Sequence, residues 1–328
     1  MRVGILGLGN FGTAIGNMVC ENGYEVLGWA YENEVVEEIN TRHTNQHYLP
    51  DVELCSALSA TSDIEKVCRE SLMVFVALPS VFVRQTLEKV CKDTSTEILL
   101  VNLTKGIDGV TGLTAFQTLQ EILPDNRTVV LSGPSVANEF VRRLPTSVVI
   151  AGSRLEDLQT IARVLDNDYF RTRFSNDTIG VELGGILKNI YAIGLGMFDG
   201  KKVTSVNFRS VYLTIALEEM TKFGVGMGAK METFLYLSGM GDLLATALSE
   251  HSHNRRMGVL LAEGYSQEEI REKMGVLPEG FNTLKTVLYI AEKMHIAMPL
   301  AKSLMDVIQG RYTPDRFMSY LIKGFFEH

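Results

Sequence analysis

Two groups of residues in this 328-residue chain carry chemistry by type and spacing. The first is Gly7-Leu8-Gly9-Asn10-Phe11-Gly12, which follows the apolar run Val3-Gly4-Ile5-Leu6 and leads into the helix-like stretch Thr13 to Val19. The first glycine permits a tight turn, the second lets backbone approach a diphosphate, and the third lets helix pack on strand. A diphosphate would rest on the partly positive helix N-terminus. An ordinary glycine-rich turn has the same composition, and only the strand before and the helix after favour a nucleotide. Glu32, after Tyr31, stands about 20 residues past Gly12, where a carboxylate can bind a ribose 2'-hydroxyl. No arginine is near enough in sequence to receive a 2'-phosphate, so NAD is favoured. NADP stays open, because the adenosine pocket can be completed from elsewhere, and a solvated surface glutamate is the competing reading of Glu32. The second group centres on Lys188, inside the apolar, glycine-rich stretch Val181 to Phe198. Burial disfavours an ammonium and lowers its pKa toward that of a useful general acid or base. The bland alternative is a lysine that snorkels to solvent from a helix flank.

These residues need elements to hold them. Short β-rich runs alternate with helical segments up to about Gly152: Val3 to Leu6, Glu25 to Trp29, Met73 to Ala77, Ile98 to Asn102, Val129 to Ser132 and Ser147 to Ala151. Such alternation predicts a doubly wound, mostly parallel α/β sheet, and its nearly unbroken apolar runs suit strands covered on both faces. Beyond about Ile179 the periodicity is helical, as in Val181 to Phe198, Val211 to Phe223, Arg256 to Glu263 and Leu284 to Lys293. The expected organisation is therefore a Rossmann domain over residues 1–179 that binds NAD, followed by an all-helical substrate and catalytic domain over residues 180–328. The join falls near Asp177 to Val181.

A length of 328 residues suits two hydrophobic cores rather than one. Hydrophobic residues at 46% and charged residues at 21% are globular proportions, which sets disordered and fibrous classes aside. A net charge of -8 supplies no long-range attraction for a polyanion, so nucleic acid is not an expected partner. The most apolar stretch, Ser71 to Val83, is short and broken by Pro79, whereas about 20 apolar residues span a bilayer. With no signal-peptide layout at the N-terminus, the cytoplasm is the simplest compartment. Cys20, Cys55, Cys68 and Cys91 match neither zinc pairs nor a Cys-x-x-Cys motif and read as reduced thiols. His251 and His253 form no recognisable metal motif, and no metal is expected.

Further segments extend the pattern: Tyr48-Leu49-Pro50, Leu78-Pro79-Ser80, Thr104-Lys105-Gly106-Ile107, Ser132-Gly133-Pro134-Ser135-Val136-Ala137-Asn138-Glu139, Leu187-Lys188-Asn189 and Gly239-Met240-Gly241-Asp242-Leu243. With the glycine fingerprint, and in this order over nearly the whole chain, they resemble the NAD(P)-dependent glycerol-3-phosphate dehydrogenase family. The resemblance implies interconversion of dihydroxyacetone phosphate and sn-glycerol 3-phosphate, which supplies backbone for phospholipid synthesis, and a homodimer. It makes Lys188 the catalytic acid/base, with Asp242, Lys105, Asn189 and Thr246 around it. Gly7, Gly9, Asn10, Phe11, Gly12, Tyr31, Glu32, Pro79, Lys105, Ala137 and Glu279 would take the cofactor. Lys105, Gly133, Ser135, Ser252, His253, Asn254 and Arg255 would take the small phosphorylated three-carbon substrate.

Two positions depart from the family pattern. Its Ser-Arg-Asn-Arg segment stands here as Ser252-His253-Asn254-Arg255-Arg256, with histidine where the family has a phosphate-binding arginine. Arginine grips phosphate through a fixed fork at any pH, and a histidine of pKa about 6.5 does not. Arg255 or Arg256 is the expected substitute. Ile215, in Leu213-Thr214-Ile215-Ala216, also replaces a family arginine. These losses motivate one alternative, a related dehydrogenase of another small hydroxy compound in specialised biosynthesis; a second, a protein that binds NAD without turnover, is opposed by the joint retention of Lys188, Asn189, Asp242 and Thr246.

Overall fold

The computed structural model describes residues 1–90, 98–249 and 252–323. Eight strands form one sheet: β1 (Arg2–Leu6), β2 (Glu25–Trp29), β3 (Leu58–Thr61), β4 (Met73–Val76), β5 (Leu99–Asn102), β6 (Arg127–Ser132), β7 (Thr146–Ala151) and β8 (Phe170–Ser175). Their order is β3-β2-β1-β4-β5-β6-β7-β8, and only the β6–β7 pair is antiparallel. The register sets Ile5 of β1 between Gly28 of β2 and Phe75 of β4, in the buried centre. The connecting helices are α1 (Asn10–Glu21), α2 (Asn33–Arg42), α3 (Ile64–Glu70), α4 (Ser80–Val90), α5 (Ala115–Ile122), α6 (Ala137–Phe140) and α7 (Leu155–Leu165). Their apolar faces pack on both sides of the sheet, the first side around Ile15, Phe75 and Leu131 and the second around Val74, Leu100 and Leu119.

Every regular element after Ser175 is helical among the described residues: α8 (Thr178–Gly200), α9 (Val206–Gly226), α10 (Met231–Phe234), a π-turn at Leu237–Gly241, α11 (Asp242–Leu248), α12 (His253–Ala262), α13 (Gln267–Met274), α14 (Glu279–Lys293), α15 (Pro299–Ile308) and α16 (Pro314–Lys323). Asp177 starts this half by accepting from the Gly180 amide at 2.9 Å as N-cap of α8, and its second oxygen takes Thr233 Oγ1 at 2.6 Å. By length and composition α8 alone could cross a bilayer among the described residues, yet 89% of that window is buried inside the protein. It is the axis on which the other helices pack. Glu219 of α9 does for α15 what a local cap would do, accepting from the Leu300 and Ala301 amides at 2.5 and 3.0 Å.

Three expectations need correction. Strands β3 and β8 were not anticipated, because both lie at the sheet's edges. Only alternate residues of β3 are buried, and exposed Arg171 and Arg173 break the apolar pattern of β8. Cys20 and Cys55 are not reduced thiols but a disulfide, with Cα atoms 6.0 Å apart. Thirty-five residues separate them in sequence, and only the β1-β2-β3 order brings the end of α1 against the segment before β3. Cys68 is buried outside any disulfide. Cys91 and His251 lie outside the described residues.

Candidate active site

The C-terminal ends of β1, β4, β5 and β6 share one edge of the sheet, the edge where doubly wound folds bind ligands. At the end of β1, Gly7 has φ +100°, and a Cβ on Gly12 would collide with the Gly7 carbonyl. A Cβ on Gly9 would meet nothing within 4 Å, and Gly9 caps α1 without a side-chain bond. Open space beside Gly9 at the N-terminus of α1, where the first-turn amides have no intrahelical partner, fits a diphosphate. Asn10 Nδ2 donates to the Tyr48 carbonyl at 2.8 Å and to Asn138 Oδ1 at 3.2 Å, while Phe11 packs edge-on against Phe140. At the end of β2, Glu32 accepts from the Tyr48 hydroxyl at 2.8 Å. Burial, then the Glu32 carboxylate, pushes the Tyr48 pKa up to about 12, so the phenol remains a donor and fixes the carboxylate. Tyr31 beside it is exposed.

Pro79 lies between β4 and α4, and the next residue ties the two halves together. Ser80 donates from its amide and its hydroxyl to Glu279 of α14, at 2.9 and 2.6 Å. Burial raises the Glu279 carboxyl above its ordinary value, against the lowering pull of Ser80. Gly133, at φ +130°, and Ser135, whose hydroxyl donates to the Gly133 carbonyl at 3.0 Å, follow β6. Ala137 is buried at the start of α6.

Lys105, just beyond β5, reaches across to the helical half. Its Nζ donates to Asp242 Oδ2 at 2.8 Å, and Lys188 Nζ of α8 donates to Asp242 Oδ1 at 2.5 Å. Asp242 is 1% exposed, against 13% and 21% for the Lys188 and Lys105 side chains, so the amines line the opening and the carboxylate backs them. Burial lowers the Lys188 pKa to about 8, with Lys105 adding to the shift and Asp242 opposing it. Asp242 begins α11 at the end of the π-turn. Thr246, one turn on, donates its hydroxyl to the Asp242 carbonyl at 2.8 Å. Asn189 Oδ1 accepts from Asn254 Nδ2 at 3.2 Å, and Asn254 Oδ1 accepts from the Gly280 amide at 2.9 Å. Asn254 is therefore buried between α8 and α14 rather than pointing freely from α12.

Ser252 caps α12 through its bond to the Arg255 amide, and His253 is exposed at the first helical position. Arg255 departs from the expected role. Its guanidinium is held by Asp199 at 2.6 and 2.9 Å and by the Ala247 and Ser249 carbonyls. Asp199 lies eleven residues past Lys188 on α8, about 16 Å along the axis at 1.5 Å per residue. Ile215 is buried in the helical core, an apolar packing position. No cluster of three or more His, Cys, Asp or Glu side chains among the described residues could hold a metal.

An open glycine fingerprint and a lysine pair on one carboxylate thus share a single sheet edge, and the chain as a whole is similar to known proteins over nearly its full length. The model of the NAD-dependent glycerol-3-phosphate dehydrogenase N-terminus matches residues 2–157, and that of its C-terminus matches residues 177–319. This chain belongs to that family. A glycerol-3-phosphate dehydrogenase [NAD(P)+] of Carboxydothermus hydrogenoformans is 37% identical over 316 residues, 96% of this chain and 94% of the relative. One of Lysinibacillus sphaericus is 38% identical over 316 residues, 95% and 93%. The crystal structure of glycerol-3-phosphate dehydrogenase from Coxiella burnetii superposes with a TM-score of 0.92 at 30% identity, over 98% of both chains.

The family motifs had already marked Lys105, Lys188 and Asp242, and the structure brings them together. Tyr48 and Ser80 stood inside quoted motifs without a role. Asp199, Asn102 and Glu182 carried no signal, since lone polar residues in apolar runs look alike until their partners are known.

Proposed function

We infer that the chain is an NAD(P)-dependent sn-glycerol-3-phosphate dehydrogenase that reduces dihydroxyacetone phosphate and runs the reverse oxidation. The observation that carries the reading is the Lys105–Asp242–Lys188 cluster at the sheet edge beside the open fingerprint. Bound along α1, with Glu32 on the adenosine ribose, a nicotinamide cofactor would supply or accept the hydride. Lys188 donates the proton that completes the alcohol and takes one back in the oxidation. A pKa near 8 leaves both forms populated near neutral pH, where general acid–base catalysis works best. Asp242 balances the charge and aims the amine. Lys105 and Asn189 hold the substrate's oxygens, with Gly133 and Ser135 along the β6 end and Thr246 behind. Ser252 and His253 take the phosphate end, where the first turn of α12 favours an anion, and Asn254 stands behind them, bonded to Asn189 and to the Gly280 amide. Arg255 supports that turn from behind through Asp199.

Mixing NADH with the protein and dihydroxyacetone phosphate, and following absorbance at the NADH band, tests the reading. Parallel runs use NADPH and phosphate-free dihydroxyacetone. Phosphate-dependent loss of NADH is expected, with NADH preferred because Glu32 repels a 2'-phosphate. NADH that binds and is not consumed would sink the reaction assigned here. The same reading puts a homodimer in the cytoplasm, which light scattering tests for the assembly. The Cys20–Cys55 disulfide is unusual for that compartment.

A further inference from the structure

Glu182 is fully buried on α8, two turns before Lys188, and faces the Rossmann half. Its Oε1 accepts from Asn102 Nδ2 at 2.9 Å and from the Phe116 amide, in the first turn of α5, at 2.8 Å. Asn102 ends β5 and is itself fully buried. Its Oδ1 accepts from the Thr104 amide at 3.0 Å, and Thr104 Oγ1 donates to the Leu78 carbonyl at 2.8 Å, next to Pro79. Thr104 is followed by Lys105. One carboxylate thus joins the helix that bears Lys188 to the loop that bears Lys105 and to the Leu-Pro-Ser turn of the cofactor side.

The path of the Lys105 side chain depends on the same helix. A Cβ on Gly185 would stand 3.4 Å from Lys105 Cε, so the lysine stem crosses α8 between Glu182 and Lys188 before its amine reaches Asp242. The loop is therefore set against one helix at two points: Glu182 holds its backbone through Asn102, and the Lys105 stem passes within van der Waals reach of Gly185, whose missing Cβ leaves room for the Ser132 hydroxyl. A carboxylate in an apolar interior is costly unless bonded, and here its acceptor sites meet amide donors from two other elements.

We propose that Glu182 is a positioning residue for the dehydrogenase reaction, setting the Lys105 loop against the Lys188 helix across the domain junction through Asn102. The inference rests on the assigned reaction. It makes Glu182 act through Lys105, and a residue needed only for folding would not do so.

The test measures kcat, KM for dihydroxyacetone phosphate and NADH affinity by fluorescence for wild type, Glu182→Gln, Glu182→Leu and Asn102→Ala, each with and without Lys105→Ala. Glu182→Leu and Asn102→Ala should each lower kcat about tenfold with NADH affinity within about twofold, and Glu182→Gln, which keeps an acceptor oxygen, should return to within about threefold. In the Lys105→Ala background the tenfold loss should shrink to under about threefold, because contacts in one network are not additive. An equal loss in both backgrounds, or NADH affinity falling in step with kcat, overturns the proposal. Should Glu182→Leu fail to fold, Asn102→Ala decides, since it cuts the same chain while Glu182 keeps the Phe116 amide. A wild type that does not consume NADH with dihydroxyacetone phosphate overturns the assigned reaction itself, and the inference with it. A wild type that turns over with additive losses overturns the inference alone.

Discussion

Two carboxylates on or against α8 are each gripped by two cations, and they differ in every other respect. Asp242 lies between Lys105 and Lys188, which come from different halves of the molecule. Asp199 lies between Arg209 and Arg255, both from the helical half, at 2.7 and 2.6 Å. Both arginines are tied further: Arg209 also donates to the Val203 carbonyl at 3.0 Å, and Arg255 to two further carbonyls. A guanidinium does not lose its proton in a protein and forks rigidly onto acceptors, so this cluster is suited to hold α8, α9 and α12 together. An ammonium is compact and shifts its pKa when buried, so the other cluster can exchange a proton. The same charge pattern is suited to a clamp in one place and to proton exchange in the other, and the cation type makes the difference.

The sharpest way to break this comparison is to exchange the cations. Lys188→Ala should lower kcat by about a thousandfold with NADH affinity unchanged, within the range for loss of a general acid. Lys188→Arg should be no better, because a permanently charged guanidinium cannot release the proton. An active Lys188→Arg enzyme would remove the distinction. Arg255→Ala should instead show first in stability. Removing one partner of a wholly buried pair costs roughly 3–5 kcal/mol, and partial exposure of Asp199 reduces that to about 2 kcal/mol, read by denaturant unfolding. Arg255→Lys should lose about half as much, since it keeps the charge and loses the fork.

The pH dependence sharpens the contrast further. Reduction of dihydroxyacetone phosphate needs protonated Lys188, so kcat/KM should fall about tenfold per pH unit above about 8, while the reverse oxidation rises through the same region. Stability runs with the opposite sign to reduction. The folded pKa of about 8 lies below the ordinary 10.5, so between these values the unfolded chain holds more protons and stability rises with pH. Burial raises Glu182 and Glu219 to about 7, so stability from these two is fully present below about 4.5 and is lost as pH rises through about 7. Thermal melts of Glu219→Gln against wild type, from pH 4.5 to 8, should show a flatter profile in the variant. The smallest effect expected is from His253→Arg, which adds a fork at the open end of α12. KM for dihydroxyacetone phosphate should fall a few fold, about 1 kcal/mol for an exposed charged contact. No change there would mean that the phosphate is held elsewhere.

What the sequence showed and what it hid divide along a physical line. The fingerprint and Lys188 were legible because each sits in a short local context, a strand before the glycines and an apolar helix around the lysine, whereas Asp242 and Lys105 were marked only by the family resemblance. Six strands were legible because buried parallel strands are unbroken apolar runs, and β3 and β8 were not, because edge strands expose one side to water. Long-range partners were hidden. Arg255 looks like a phosphate ligand beside Asn254, and only the packing of α12 on α8 reveals Asp199 as its partner. Cys20 and Cys55 are paired by the sheet order, which spacing cannot report.

The contact between α8 and α12 constrains how this enzyme can diverge. A Cβ on Gly196 would strike the Arg255 backbone, and one on Gly258 would strike the Ile193 carbonyl, so the two helices touch main chain to main chain. Neither helix can slide or tilt to admit a larger substrate without losing that contact, which Asp199 and Arg255 also lock. The exposed tip of α12, where His253 stands, is free to change while the helices behind it keep their spacing.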